Sequence, residues 1–127
     1  MERVRFIFHQ GQRILLIDYS ELTDERQILD IIAERKEIVA EQPLNSLLTL
    51  TDVTNARYNH AAIEAIKVAA VLDRPHLKRA AAVGLDTMYP RGAIEAISTF
   101  STRHWARFHN REEALEWLVS DAEAVSA

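Results

Sequence analysis

Two aspartates, Asp18 and Asp52, stand at the ends of predicted strands, where they could act as a catalytic acid and base. The carboxyl ends of parallel strands meet at one edge of a sheet, so two carboxylates there could approach each other and exchange a proton with a substrate. The alternative is that each aspartate caps the turn that follows it, by bonding to the backbone two residues further on. We favour the capping role for both residues.

Other arrangements that would indicate an enzyme are missing from the sequence. Gly11, Gly84 and Gly92 are isolated and form no phosphate-binding loop, and there is no Gly-x-Ser-x-Gly motif. The chain has no cysteine, which excludes a thiol nucleophile, a disulfide and a thiolate metal site. His104 and His109 lie five residues apart across a predicted strand, and this odd spacing points them to opposite faces. We therefore predict a non-catalytic protein with no metal and no cofactor.

A second group of residues with binding chemistry lies in two segments, 52–60 and 84–92. It comprises Arg57, Tyr58, His60, Tyr89 and Arg91. Each segment runs from a predicted strand to a predicted helix, where unpaired backbone N–H groups and the helix dipole favour negative charge. If the segments share one edge of the sheet, they offer a site for an anionic or partly aromatic ligand, or for a phosphorylated side chain. The alternative is that the arginines are solvated and the tyrosines cover the sheet edge.

The hydrophobic pattern predicts the strands that must position these residues. Alternating apolar residues indicate strands at 4–8 and 13–18, joined by a tight turn. Further strands are predicted at 47–53, 79–85 and 105–108.

Four helices are predicted between and after these strands. Thr23 is the expected N-cap of the first helix, and Asn59 is the expected N-cap of the second, which runs to about Asp73. Pro90 suits the first position of the third helix, because proline has no N–H to satisfy there. Asn110 is expected to cap the last helix.

The order β-β-α-β-α-β-α-β-α predicts an α/β fold, with four helices packed on a mixed, mostly parallel sheet of five strands. The length of 127 residues suits a single domain, with an ordered core at about 3–119 and a flexible tail at 120–127. The sequence contains no apolar stretch typical of a membrane span or a signal peptide. We therefore expect a cytoplasmic protein without stable membrane insertion. The basic residues are not accompanied by a regular stripe of aromatic residues that could stack on bases, so we predict no nucleic-acid partner.

The second predicted helix is rich in alanine and should lie close against the sheet. Its outer stripe is narrow and consists of Glu64, Lys67 and Val71. Val71 is either a single exposed apolar residue, which is normal, or part of a surface that binds a partner. We favour the first interpretation.

The order of elements and two short motifs resemble the STAS-like domains related to bacterial anti-sigma factor antagonists. The motifs are the strand end LTDVT at 50–54 and the closing stretch REEALEWL at 111–118. More narrowly, the chain resembles small stand-alone bacterial STAS-like proteins, whose fold is also compared with CRAL-TRIO lipid-transfer domains. The resemblance spans roughly residues 3–119 and implies the fold more strongly than the function.

The resemblance also implies roles for particular residues. In the antagonists an aspartate ends the strand, and a kinase partner phosphorylates a serine just before the second helix to break a complex. Asp52 matches this aspartate, and Thr54 matches the hydroxyl residue two places later. The serine position falls at Tyr58 or Asn59, neither of which is serine or threonine, although Thr51, Thr54 and Tyr58 keep hydroxyls nearby. The phosphorylation switch therefore does not transfer directly to this chain.

Two functions follow as hypotheses. The first is a non-catalytic interaction or regulatory module that binds a protein partner, or a second copy of itself, through the second helix and the loop before it. The second is a carrier or sensor of a small hydrophobic or anionic ligand, such as a lipid or an anionic metabolite, at the C-terminal edge of the sheet. The candidate binding residues are Asp52, Thr54, Arg57, Tyr58, Asn59, His60, Tyr89 and Arg91.

Overall fold

Five strands and four helices alternate along residues 2–101 and 105–120, which are the residues that the computed structural model describes. The strands are β1 (Val4–His9), β2 (Gln12–Asp18), β3 (Leu47–Asp52), β4 (Leu77–Val83) and β5 (Ala106–Phe108). The helices are α1 (Glu25–Ala40), α2 (His60–Asp73), α3 (Ala93–Ser101) and α4 (Arg111–Leu118), and a 3-10 turn (Arg74–His76) follows α2. This order confirms the predicted α/β class, the five strands and the four helices. Beyond Ser120, the predicted tail lies outside the described residues.

The five strands form one mixed sheet in the order β1-β2-β3-β4-β5. β1 pairs antiparallel with β2, and all other pairs are parallel. Gln10 and Gly11 both have positive φ in the turn between β1 and β2, as a two-residue hairpin turn requires. One helix connects each parallel pair, because parallel neighbours cannot be joined by a tight turn.

The helices divide into two layers on opposite faces of the sheet. The apolar residues of α1, α2 and α3 form one core with the inner face of the sheet, whereas Ala114 and Leu118 of α4 form a smaller core on the other face. β2 contributes alternate residues to both cores, with Leu15 and Ile17 toward α1–α3, and Leu16 toward α4. The central strands are therefore buried on both sides, as is typical of parallel sheets.

The N-caps of α2 and α4 are those predicted. Asn59 Oδ1 accepts a hydrogen bond from Ala62 N at 2.9 Å, and Asn110 Oδ1 accepts one from Glu113 N at 2.9 Å. The predicted cap of α1 is wrong by one residue, since Asp24 Oδ1 accepts from Arg26 N at 2.8 Å. Threonine and aspartate are both good N-caps, so residue type alone does not choose between neighbouring positions.

Several predicted boundaries differ from the structure, and the largest differences are in β4 and α3. β4 begins and ends two residues before its predicted limits, and Gly84, with a φ of 82°, follows its last residue. α3 begins at Ala93 and not at Pro90, because residues 90–92 form a turn in which Ala93 N donates to Pro90 O at 3.1 Å. β5 begins one residue later than predicted, at Ala106. Among the described helices, none has the length and apolar character needed to cross a membrane.

Candidate functional site

The two segments predicted to bind a ligand, 52–60 and 84–92, lie side by side at the C-terminal edge of the sheet. Tyr58 N donates to Tyr89 O at 2.8 Å, and Tyr89 N donates to Ala56 O at 2.9 Å. The Arg57 guanidinium stacks on the Tyr89 ring, 4.6 Å from its centroid. The structure thus brings together two segments that are about thirty residues apart in sequence.

The candidate residues in these segments separate into an outer and an inner set. Arg57, His60, Tyr89 and Arg91 are exposed, and Arg91 Nη1 donates to Asp86 O at 3.2 Å. Asn59 is also exposed, but its side chain is occupied as the cap of α2. Of the candidate residues in these segments, the four of the outer set therefore present exposed side chains that do not cap a helix.

Tyr58 belongs to the inner set, because only 5% of it is exposed. Its ring packs edge-on against the ring of Tyr19, with 5.4 Å between their centroids. Burial raises the pKa of the Tyr58 hydroxyl well above its ordinary value, with a further contribution from Tyr19. Tyr58 therefore stays protonated and packs in the core instead of presenting its hydroxyl at the surface.

Asp18 and Asp52 meet at the same edge, as the strand pattern predicts. They occupy paired positions in the β2–β3 register. Asp52 Oδ1 accepts from Thr54 N at 3.0 Å and from Thr54 Oγ1 at 2.6 Å. Asp18 Oδ1 accepts in the same way from Ser20 N at 2.9 Å and from Ser20 Oγ at 2.6 Å. Each aspartate thus caps the turn after its strand, which supports the capping role.

The remaining oxygens of the two aspartates are joined by Arg111, the first residue of α4. Arg111 Nε donates to Asp52 Oδ2 at 2.7 Å, and Arg111 Nη2 lies 3.2 Å from Asp18 Oδ2. Burial alone would raise the pKa of Asp18, but hydrogen bonds from Ser20 and the charge of Arg111 outweigh it and lower the pKa. A general acid must hold a proton near neutral pH, and a lowered pKa keeps Asp18 ionised.

The sequence interpretation did not assign this role to Arg111. A signal was present, because arginine at the first position of a helix places a cation at the positive end of the helix dipole. Such a residue indicates a carboxylate partner elsewhere in the fold. The tertiary structure decides which carboxylates accept hydrogen bonds from this guanidinium, since Asp52 and Arg111 are 59 residues apart.

A second charged pair lies inside the protein. Arg35 of α1 and Asp73 at the end of α2 form an ion pair through Arg35 Nη2 and Asp73 Oδ2, and both side chains are almost completely buried. The sequence signal was that Arg35 falls within the apolar stripe of α1, between Ile31 and Val39. A charge on the buried face of a helix requires an opposite charge nearby.

A small cavity of about 30 Å³, here called the inner cavity, lies next to Arg35 and beneath Tyr58. Tyr19, Thr51 and Trp105 also contribute to its wall, and the remaining lining residues are apolar. The cavity lies between the sheet and the layer formed by α1, α2 and α3.

A larger open cleft, here called the outer cleft, has a volume of about 340 Å³. Its charged lining residues are Asp86, Arg91, Glu95, Arg107 and His109. Leu85 and Ile94 line both the outer cleft and the inner cavity, so these two side chains separate one space from the other.

The outer surface of α2 is more apolar than predicted. Val68, Val71 and Leu72 are 50%, 43% and 52% exposed, so Val71 is not an isolated apolar residue. The buried side of the helix consists mainly of small residues, so the larger ones lie on the exposed side. The buried residues include Ala62, Ile66, Ala69 and Ala70. Phe100 of α3 is 57% exposed, and the Lys67 ammonium lies 5.6 Å from its ring centroid. We call Lys67, Val68, Val71, Leu72 and Phe100 the α2 face.

No cluster of three or more His, Asp or Glu side chains that could hold a metal occurs within residues 2–101 and 105–120. His104 of the histidine pair considered from the sequence lies outside the described residues. No family model, curated protein or solved structure matches the chain.

Proposed function

We propose that this protein is a non-catalytic STAS-like interaction module that binds a protein partner through α2 and the loop before it. The observation that carries the proposal is the exposure of Val68, Val71 and Leu72 on one side of a single helix. Residues three and four apart on a helix are surface neighbours, so these side chains form one patch. Exposed apolar patches bordered by polar residues are typical of protein-binding surfaces.

The composition around this patch also supports the proposal. Two exposed aromatic rings lie close to cations in this region, Phe100 to Lys67 and Tyr89 to Arg57. Aromatic residues and arginine are enriched at protein interfaces and often supply most of the binding energy. The two other large apolar residues that are exposed in the described part of the chain, Phe8 and Leu44, belong to a different strand and a different loop.

The experiment compares partner binding by two variants, one inside the α2 face and one outside it. Val71→Asp places a charge in the centre of the α2 face, whereas Leu44→Asp places one on an exposed apolar residue outside it. Sedimentation velocity of the purified protein tests self-association, and affinity purification from the source cells tests a different partner. We expect Val71→Asp to abolish the complex and Leu44→Asp to preserve it. A complex that survives Val71→Asp, or the absence of any complex, would contradict the proposal.

A second candidate function is that of a carrier or sensor of a small hydrophobic or anionic ligand at the C-terminal edge of the sheet. The outer cleft favours it, because its volume of about 340 Å³ is within the range of small-molecule sites. Arg91 lines this cleft and Arg57 does not. Native mass spectrometry of freshly purified protein should then show a non-covalent adduct that Arg91→Ala reduces and Arg57→Ala retains. A spectrum of the bare chain alone would argue against this function.

A further inference from the structure

The inner cavity faces a guanidinium whose hydrogen-bonding capacity is only partly used. The Arg35 side chain is 2% exposed, and its Nε and Nη1 atoms have no hydrogen-bond partner among the described residues. The buried Thr51 Oγ1, which lines the same cavity, also has none within that part of the chain. Buried donors without partners are unfavourable, and native proteins satisfy them with protein groups, water or ligands. Among the described residues, no oxygen therefore accepts from Arg35 Nε or Nη1, although the cavity lies beside this side chain.

The size of the cavity restricts what can supply that oxygen. A volume of about 30 Å³ accommodates a water molecule or one small group such as a hydroxyl or a carbonyl, but not a larger polar head group. Thr51 is half-buried although it lies on a central strand, between Ile17 of β2 and Ala82 of β4. The small Ala82 side chain leaves room beside it for such a group.

Charge restricts the ligand further. Asp73 already neutralises Arg35 within the buried ion pair. A carboxylate in the cavity would add a second, uncompensated negative charge to the protein interior, which is strongly unfavourable. An uncharged oxygen can accept from Arg35 Nε or Nη1 without that penalty.

The rest of the cavity wall is apolar and extends toward the outer cleft. Ile66, Met88 and Ile97 border the cavity, and Leu85 and Ile94 separate it from the outer cleft. We infer that the inner cavity receives the hydroxyl or carbonyl oxygen of a small, uncharged amphipathic molecule, whose short apolar part packs against Leu85 and Ile94 at the boundary with the outer cleft. This inference rests on the second candidate function and names the chemistry of its ligand.

The two tryptophans of the chain report on opposite faces of the sheet. Trp105 lines the inner cavity, whereas Trp117 packs against Phe108 in the α4 layer. The experiment is a titration of ¹⁵N-labelled protein with 1-hexanol, and with hexanoate as the matched anion, monitored by the two indole N–H resonances. We expect 1-hexanol to shift the Trp105 resonance saturably and to shift Trp117 far less, because Trp105 lines the inner cavity and Trp117 does not. Hexanoate should produce the same shift only at a concentration about tenfold higher or more.

Two variants locate the binding site. Ala82→Val fills the cavity, and Thr51→Val removes a hydroxyl with little change in shape; each should weaken 1-hexanol binding by about threefold or more. Ala80→Val is the control, because Ala80 lies on the same strand but outside the cavity wall. If Ala82→Val does not fold, the comparison of 1-hexanol binding by Thr51→Val and Ala80→Val tests whether the ligand occupies the cavity.

The remaining outcomes separate this inference from the function on which it rests. Binding of hexanoate that depends on Arg91 and not on Thr51 or Ala82 would preserve the carrier function and overturn the inference. A Trp105 resonance that 1-hexanol does not shift would also overturn it, and would indicate that the cavity holds water only. Failure of both probes to bind anywhere would count against the carrier function as well.

Discussion

Asp18 and Asp52 occupy paired positions at the ends of neighbouring parallel strands, and their carboxylates are bridged by a single guanidinium, that of Arg111. Each aspartate also holds the turn that follows its strand through the hydroxyl residue two positions later. Arg111 starts α4, which packs on the face of the sheet opposite α1–α3. The arrangement therefore joins the C-terminal edge of the sheet to α4, on the face of the sheet opposite α1–α3.

Removal of Arg111 should destabilise the fold. Arg111→Met would leave two adjacent carboxylates without their shared cation, and the Asp52 side chain is only 7% exposed. We expect the free energy of unfolding in urea to fall by about 1–3 kcal/mol. Arg107→Met is the matched control, since the ion pair of Arg107 with Glu95, at 3.6 Å, is exposed, and its effect should stay within about 0.5 kcal/mol. Equal losses in the two variants would refute a special role for Arg111.

Stability should fall in acid because of Asp18. Its pKa is lowered in the folded chain, since the Ser20 hydrogen bonds and the Arg111 charge outweigh the opposing effect of burial. A carboxyl with a lowered pKa stabilises the fold above its unfolded pKa of about 4, and this contribution is lost as the pH falls through the folded pKa.

The measurement is the free energy of unfolding at a series of pH values below about 5. Asp18→Asn should flatten the acid limb of this profile, because the amide does not titrate. Ser20→Ala should flatten it partly, since it removes one of the hydrogen bonds that lower the pKa. An unchanged acid limb in Asp18→Asn would show that other groups govern the loss of stability.

The buried pair Arg35 and Asp73 should behave as one unit. Arg35→Met or Asp73→Leu alone removes one half of the ion pair and leaves the other charge buried, and each should lower the free energy of unfolding by about 3–5 kcal/mol. The double variant has no buried charge, so its loss should be much smaller than the sum of the two single losses. A double-mutant cycle in urea measures this coupling. The exposed Glu64–Lys67 pair is the control and should give a far smaller coupling.

Gly84 should be far less replaceable than Gly11, although both have positive φ. A Cβ at Gly84 would lie 2.3 Å from Thr54 Oγ1 and 2.8 Å from Thr54 N, whereas one at Gly11 meets nothing within 4 Å. Gly11→Ala should lower the free energy of unfolding by about 1–2 kcal/mol, because alanine is unfavourable in the left-handed backbone conformation. Gly84→Ala adds a clash with backbone, and we expect about 1–3 kcal/mol more. Thermal unfolding compares the two, and similar melting temperatures would disprove the close approach of Gly84 to Thr54.

The local patterns in the sequence were sufficient to predict which segments form strands and which form helices. The alternation of apolar residues in β1 and the caps Asn59 and Asn110 predicted elements that the structure contains. These features depend on side chains and backbone a few residues apart, so they can be identified without knowledge of the fold. The predicted start of α3 was wrong, because Tyr89 is held by hydrogen bonds to residues 56–58, about thirty positions earlier.

The sequence by itself determined the α/β class, the number of strands and helices, and the meeting of Asp18 and Asp52 at one sheet edge. Only the tertiary structure decided that Arg111 bridges these carboxylates, that Arg35 pairs with Asp73, and that Tyr58 is buried. The difference has a physical cause. Hydrophobic periodicity and capping are local, whereas the partner of a charge and the exposure of a side chain depend on which elements pack together.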